Sequence, residues 1–222
     1  MLDIGSRSSD CILQLHHAAA PEGGVDDWDL IVREIHHRMK NTLALLGASA
    51  RLDFTRSGVK NFSAVIDRFE RRIVAFGRLY QLLSSGEDFQ TNSVAQFFEG
   101  LCAALSEAIL EPAGIRCEAV IEDGTLSAAQ CHRLGLIVTE LVTNAAKHAF
   151  PHKSSGLIRI EARHHNGCWY YMVADNGTGA IGPLRGTGGR ILEGLARSIR
   201  AQVQGEASRS GTSVTVMMPA AT

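Results

Sequence analysis

Two apolar stripes of similar length run through the first third of the chain, and neither can hide itself from water. Ile31, Ile35, Met39, Leu43, Leu46 and Ala50 recur at spacings of three and four. Ile66, Phe69, Ile73, Phe76, Tyr80 and Leu83 repeat the rhythm after a turn at Gly58. Such spacing places each set on one side of an α-helix. Residues 27–86 are therefore expected to form a helical hairpin. One hairpin cannot cover both stripes, but two of them in a four-helix bundle can, so the pattern predicts a homodimer.

The rest of the chain needs a different architecture. Residues 1–26 carry little pattern beyond Pro21-Glu-Gly-Gly24 and are expected to form an N-terminal arm. From residue 87 to 222 the texture alternates. Helices are expected over 94–110, 127–150 and within 186–203, and strands over 115–121, 157–163, 169–174 and 213–218. The strands at 157–163 and 169–174 flank His164-His-Asn-Gly-Cys168, which reads as a hairpin turn. The fold class is thus α+β: a helical hairpin followed by an α/β sandwich with helices on one face of a mixed sheet.

Bulk properties narrow the function classes. Of the 222 residues, 45% are hydrophobic and 20% charged, and the net charge is −1. That balance describes globular domains and offers no polyanion-binding surface, so nucleic acid is not expected as a partner. No apolar run approaches the roughly 20 residues that cross a bilayer, and the first residues lack a signal-peptide core. A cytoplasmic location is expected. The five cysteines are scattered without a Cys-x-x-Cys pair, so neither a zinc site nor a disulfide framework is indicated.

Chemistry concentrates at two places. On a helical wheel, His37 falls roughly 170° from the centre of the first stripe, with Glu34 and Asn41 within about 60° of it. Glu34-Ile-His-His-Arg-Met-Lys-Asn41 resembles the phosphoacceptor box of the histidine kinase class that reads His-Arg-x-x-Asn. The resemblance implies that His37, not His36, carries phosphate. A neutral imidazole nitrogen is a suitable nucleophile for a phosphoryl group. Most histidine kinases have an acidic residue directly after the histidine; here Arg38 stands there. Glu34, one turn earlier, is the candidate to orient or deprotonate the ring. Asn41 is the candidate to position water for the reverse, phosphatase reaction.

The second place is Glu140-Leu-Val-Thr-Asn144-Ala-Ala-Lys147-His148, with its polar groups at i, i+4, i+7 and i+8 on one helical face. Asp175-Asn-Gly-Thr-Gly179 follows a strand, and Gly186-Thr-Gly188-Gly opens a helix. Gly211-Thr212 precedes the last strand. In this order the four segments resemble the nucleotide boxes of the GHKL ATPase superfamily, which includes histidine kinases. The resemblance implies ATP and Mg²⁺ as ligands. Asn144 would hold Mg²⁺ between the phosphates, Glu140 would sit beside the attacking group, and Lys147 and His148 would face the phosphate chain. Asp175 would accept a hydrogen bond from the adenine amino group, with Gly177 and Gly179 admitting the base. The amides at Gly186 and Gly188 would bind phosphate oxygens at a helix start. Thr212 would complete the terminal box.

The sequence departs from that pattern in three ways. Thr187 and Gly189 replace leucines of the second glycine box. Only residues 180–185 stand where the ATP lid belongs, and Arg200-Ala201 replaces a Gly-Gly pair. The function expected is a two-component histidine kinase core, taking phosphate from ATP on His37 and passing it to the receiver aspartate of a response regulator. The alternative is a phosphotransfer or scaffold protein with a degenerate nucleotide domain. A serine kinase of the anti-sigma type would need no His-bearing hairpin. The 26 residues before the hairpin cannot house a sensor domain, so the signal is expected through a separate sensor partner or through the short arm.

Overall fold

In the computed structural model, residues 62–84, 93–151, 155–179 and 187–220 are described. The readings that concern Glu34, His37 and Asn41, the first hairpin helix and Gly186 lie outside these residues. The second hairpin helix, α1 (Phe62–Ser84), is present as expected. It is followed by α2 (Val94–Leu105), which begins where the Ser93 hydroxyl accepts the Gln96 amide hydrogen. The helix then loosens into a π turn at Ser106–Leu110 and a short 3₁₀ turn at Glu111–Ala113. Gly114, left-handed at φ 73°, reverses the chain into β1 (Ile115–Ile121).

Ser127 and Gln130 form a reciprocal capping box that starts α3 (Ala128–His148). β2 (Gly156–His165) and β3 (Cys168–Asp175) follow, joined by Asn166-Gly167 with φ of 49° and 73°. Both residues are left-handed, the turn that an Asn-Gly pair adopts in a tight hairpin. Next come α4 (Thr187–Ser198), β4 (Gln202–Ser208) and β5 (Gly211–Pro219). The sheet runs β1-β2-β3-β5-β4, with β1 parallel to β2 and the other neighbours antiparallel.

β4 is an addition to the sequence reading, which extended a helical pattern to Val203. In Gln202-Val-Gln-Gly-Glu-Ala-Ser the apolar alternation is only Val203, Gly205 and Ala207, because an edge strand with one neighbour leaves much of its surface in water. α4 ends earlier, at a left-handed residue: Arg200 has φ 54°, and the Ala201 amide reaches back to the Ala196 carbonyl. That is the geometry for which a glycine is ordinarily favoured, so Arg200 occupies the Gly-Gly position at a conformational cost.

One face of the sheet is the core. Register aligns Ile160, Val173 and Val214 in one row and Ala162, Tyr171 and Val216 in the next, all buried. Residues between them, such as Arg159, Tyr170 and Thr215, face the other way, as a period of two requires. α3 lies on the apolar face with Leu134, Leu136, Ile137, Val138, Leu141 and Val142 buried. Each fully buried side chain of this size contributes about 1.5–3 kcal/mol.

α1 is seated on this domain through Arg72, Ala75, Leu79 and Leu83, all buried against α2 and α3. A Cβ at Gly135 would press on the Phe97 ring at 3.0 Å and on Leu83 at 3.2 Å, so the three helices meet there closely. Nε2 of His132 hydrogen-bonds to the Leu83 carbonyl at the end of α1. Half of the stripe expected to be buried on α1 lies on its other side: Ile66, Ile73 and Tyr80 are 40%, 48% and 42% exposed.

Candidate nucleotide site

α3 presents Glu140 and Asn144 one turn apart, and the Asn144 Nδ2 donates to Glu140 Oε1 at 2.8 Å. A carboxylate only accepts, so the amide nitrogen must face Glu140 and the carbonyl Oδ1 is turned away from it. Asn144 lines a narrow cavity between α3, β3 and β5. Leu141, Ala145, Val173 and Val214 give the cavity apolar walls, and Asn144, His148, Asp175 and Thr212 give it polar ones. Lys147 is exposed one turn after Asn144 and does not line the cavity. Lys147 and His148 also stand in the last turn of α3, where positive charge complements the helix dipole.

The Asp175 carboxylate is held by the backbone around it. Its Oδ1 accepts from the Gly177 amide at 2.8 Å and the Thr212 amide at 3.3 Å, which ties the end of β3 to the start of β5. The neighbouring Asn176 extends the β2–β3 ladder, taking the Leu157 amide on its side chain at 2.9 Å and donating its own amide to the Leu157 carbonyl at 3.2 Å. The Thr178 amide bonds the Ala149 carbonyl at 2.9 Å, so the glycine loop is stitched to the C-terminal end of α3. A Cβ on Gly177 would overlap Ala149, and Gly179, at φ 73°, would overlap the Ser208 carbonyl. Both positions demand glycine for reasons of space.

Asn144, His148, Asp175 and Thr212, four residues singled out from the sequence, thus converge on one cavity, and Glu140 joins them through Asn144. Gly188 lies in the first turn of α4. The apolar walls and the structural work of Asn176 and Ala149 were not read from the sequence. Leu141 and Ala145 carried a usable signal, since each lies one turn from a polar cavity residue. Apolar walls beside a carboxylate acceptor suit a purine with an exocyclic amino donor. Among the described residues no three His, Cys, Asp or Glu side chains stand together. A hard cation here would be held by Asn144 Oδ1 together with oxygens of the bound phosphates, an all-oxygen set of the kind Mg²⁺ takes.

Residues 103–217, more than half of the chain, match the model of the histidine kinase-like ATPase domain. The chain belongs to that family. Residues 34–109 match a second model described as histidine kinase, and that match spans Glu34, His37 and Asn41. The histidine kinase-like ATPase domain implies ATP binding.

The chain is 30% identical over 152 residues to the sensor histidine kinase PdtaS of Mycolicibacterium smegmatis, across 68% of this chain and 30% of that protein. It is 26% identical over 200 residues to blue-light-activated histidine kinase 2 of Erythrobacter litoralis, across 86% of this chain and 57% of that one. The chain therefore spans between about a third and somewhat over half of these relatives. The histidine kinase domain of Erythrobacter litoralis EL346 superposes with a TM-score of 0.56 at 21% identity, covering 81% of this chain and 95% of that domain. That likeness speaks for the fold: among the described residues, a long helix leading into a five-stranded α/β domain.

Proposed function

We propose that this chain is the catalytic core of a two-component histidine kinase, of the His-Arg-x-x-Asn phosphoacceptor class. Its acceptor hairpin spans residues 27–86 and its nucleotide domain residues 87–222. ATP is the phosphoryl donor, His37 the acceptor, and a response-regulator aspartate the final recipient. The observation that carries this reading is the convergence of Asn144, Asp175 and Thr212 on one cavity walled by apolar side chains. A degenerate domain kept only as a scaffold would have no reason to retain it, so the phosphotransfer alternative is not favoured.

In this reading Asp175 accepts the adenine amino hydrogen, and Gly177 and Gly179 let the base approach the backbone. Gly186 and Gly188 offer amides to the phosphates, Lys147 and His148 oppose their charge, and Thr212 closes the cavity behind Asp175. Asn144 would hold Mg²⁺, which when bound neutralises charge on the transferring phosphoryl group. Glu34 orients the His37 imidazole or takes its proton, while Glu140 stands on the attacking side. A ring nitrogen of His37 bonds to the γ-phosphorus as the bond to the bridging oxygen breaks, releasing ADP. Asn41 positions water for the reverse, phosphatase reaction.

The partners in this reading are a receiver domain and a second copy of the chain. Ile66, Ile73 and Tyr80 recur every seven residues on the exposed side of α1, a spacing suited to a helix seam between two copies. No described helix is long and apolar enough to cross a membrane, and use of ATP places the reaction in the cytoplasm.

Labelling with γ-labelled ATP tests the acceptor. His37→Gln is expected to abolish the acid-labile label, whereas His36→Gln keeps most of it; equal labelling of the His37 variant removes the assignment. The adenine contact is tested by Asp175→Asn. Losing a charge-assisted hydrogen bond costs about 1.5–3 kcal/mol, so ATP affinity should fall roughly ten- to hundred-fold. Unchanged affinity would reduce Asp175 to a turn residue.

A further inference from the structure

Asn144 and His148 reach the nucleotide cavity from α3, and Asp175 reaches it from the end of β3. Two attachments hold the loop after Asp175 in place. The first is to the end of α3. The Ala149 amide still bonds the Ala145 carbonyl, but the Ala149 carbonyl is one of the end groups that a helix leaves without an internal partner. It accepts the Thr178 amide at 2.9 Å. The second attachment is to the start of β2, where Leu157 and Asn176 share hydrogen bonds of 2.9 and 3.2 Å. Register then sets Asp175 opposite Ile158, the next residue of β2.

The end of α3 and the start of β2 are in turn braced against each other by Phe150 and Gly156. A Cβ on Gly156 would stand 2.5 Å from Cε1 and 2.6 Å from Cζ of Phe150, so the ring lies on the glycine. Gly156 is not in the left-handed region, so space and not backbone conformation calls for glycine here. Phe150 is half-buried and packs against the core. The buried Gly156 pairs with Ile115 of β1, and its amide bonds the Gly114 carbonyl at 3.4 Å. Neither residue lines the cavity. Phe150 directly follows Ala149, and Gly156 directly precedes Leu157. The ring contact therefore joins the two attachments of the loop, one residue away from each.

We propose that Phe150, seated on Gly156, is a positioning residue for the nucleotide, setting the spacing between the polar face of α3 and the loop that holds Asp175. Displacing the ring shifts the Ala149 carbonyl against the Leu157 backbone. The loop spans both, so the shift reaches Asp175, whose Oδ1 accepts the Gly177 and Thr212 amides. Little slack exists at this end of the cavity: a Cβ on Gly177 would stand 2.2 Å from the Ala149 carbonyl oxygen. This role rests on the proposed function, because it requires ATP in the cavity.

The test is calorimetric binding of Mg-ATP to the full chain, with urea unfolding alongside. Gly156→Ala pushes the ring off its seat, and ATP affinity should fall about tenfold, as when a charge-assisted hydrogen bond to the base is weakened. Adding Phe150→Leu relieves the crowding and should restore affinity to within about threefold of the parent, the non-additivity of residues in contact. In autophosphorylation Gly156→Ala should raise KM for ATP and leave the rate at saturating ATP within about twofold. A shift of the urea midpoint with unchanged ATP affinity makes the contact merely structural and overturns the proposal. So does a double variant that binds no better than Gly156→Ala. Should Gly156→Ala not fold, Phe150→Ala decides: it should also bind ATP more weakly, and parental affinity overturns the role. Absence of ATP binding in the parent overturns the proposed function and this role with it, whereas equal binding by parent and variants overturns this role alone.

Discussion

α1 and α3 are nearly equal in length, at 23 and 21 residues, yet they use their apolar surface in opposite ways. α3 is enclosed by the sheet and by α1, α2 and α4 and buries its apolar side chains among them, so its polar residues collect on the face left open. α1 has two apolar sides. Ala75, Leu79 and Leu83 dock on α2 and α3, while Ile66, Ile73 and Tyr80 stay in water. The difference teaches that α3 belongs wholly to the nucleotide domain, whereas α1 is shared between that domain and a second surface. The polar cavity residues stand on α3, and the open apolar side belongs to α1.

The largest expected effect tests the polar face of α3. Asn144→Ala removes the oxygen on which the proposed cation depends, without disturbing a buried apolar contact. By analogy with deleting one preorganised group that stabilises a transition state, autophosphorylation should fall about 10²-fold or more. The urea midpoint should hardly move, since Asn144 is only half-buried. Because the proposed acceptor His37 belongs to the hairpin and not to the nucleotide domain, the variant should still accept phosphate back from a phosphorylated regulator. A variant that autophosphorylates normally would separate the polar face of α3 from catalysis.

The next effect tests the two sides of α1 against each other. Leu79 is 2% exposed, and Leu79→Ala should lower stability by about 2–5 kcal/mol in urea unfolding. Ile73→Ala, at an exposed position, should change it by less than about 0.5 kcal/mol in dilute monomer. If a second copy covers that side, Ile73→Asp should weaken association in sedimentation while the monomer unfolds as before. Equal losses at the two positions would erase the contrast between docked and open faces.

How much was legible follows from the same contrast. On α3 the apolar positions and the polar face both pointed to one helix, and the helix stands at Ala128–His148. The β2–β3 hairpin was readable because Asn166-Gly167 names its own turn. On α1 the pattern located a helix but not its docking side. That side rests on small Ala75, on Leu79 and on buried Arg72, and a hydrophobic pattern gives weight to large apolar residues. β4 was missed because an edge strand with a central glycine needs little alternation. At the site, motif order identified Asn144, Asp175 and Thr212, but their meeting depends on two backbone amides bonding one carboxylate oxygen. Backbone geometry leaves no residue-type signal, so Asn176 and Ala149 stayed invisible.

The smallest expected effect sits where the two helices meet. The His132 ring, near the start of α3, bonds the Leu83 carbonyl, one of the groups that the end of α1 leaves without an intrahelical partner. Burial lowers the His132 pKa below its ordinary value, and nearby Arg133 adds to this, against a raising contribution from the Leu83 carbonyl. The folded state therefore favours neutral imidazole, with Nε2–H donating. At pH above about 6.5 the ring is neutral in both folded and unfolded chains, and the full stability is present. As pH falls through that value the unfolded chain takes up the proton first, so stability is lost until the folded ring also protonates. Urea midpoints at pH 7.5 and 5.5 should thus differ more for the parent than for His132→Gln, whose carboxamide can still donate to Leu83 but does not titrate. If both chains show the same pH dependence, α1 is held to α3 by its apolar side alone, and His132 has no part in joining the two.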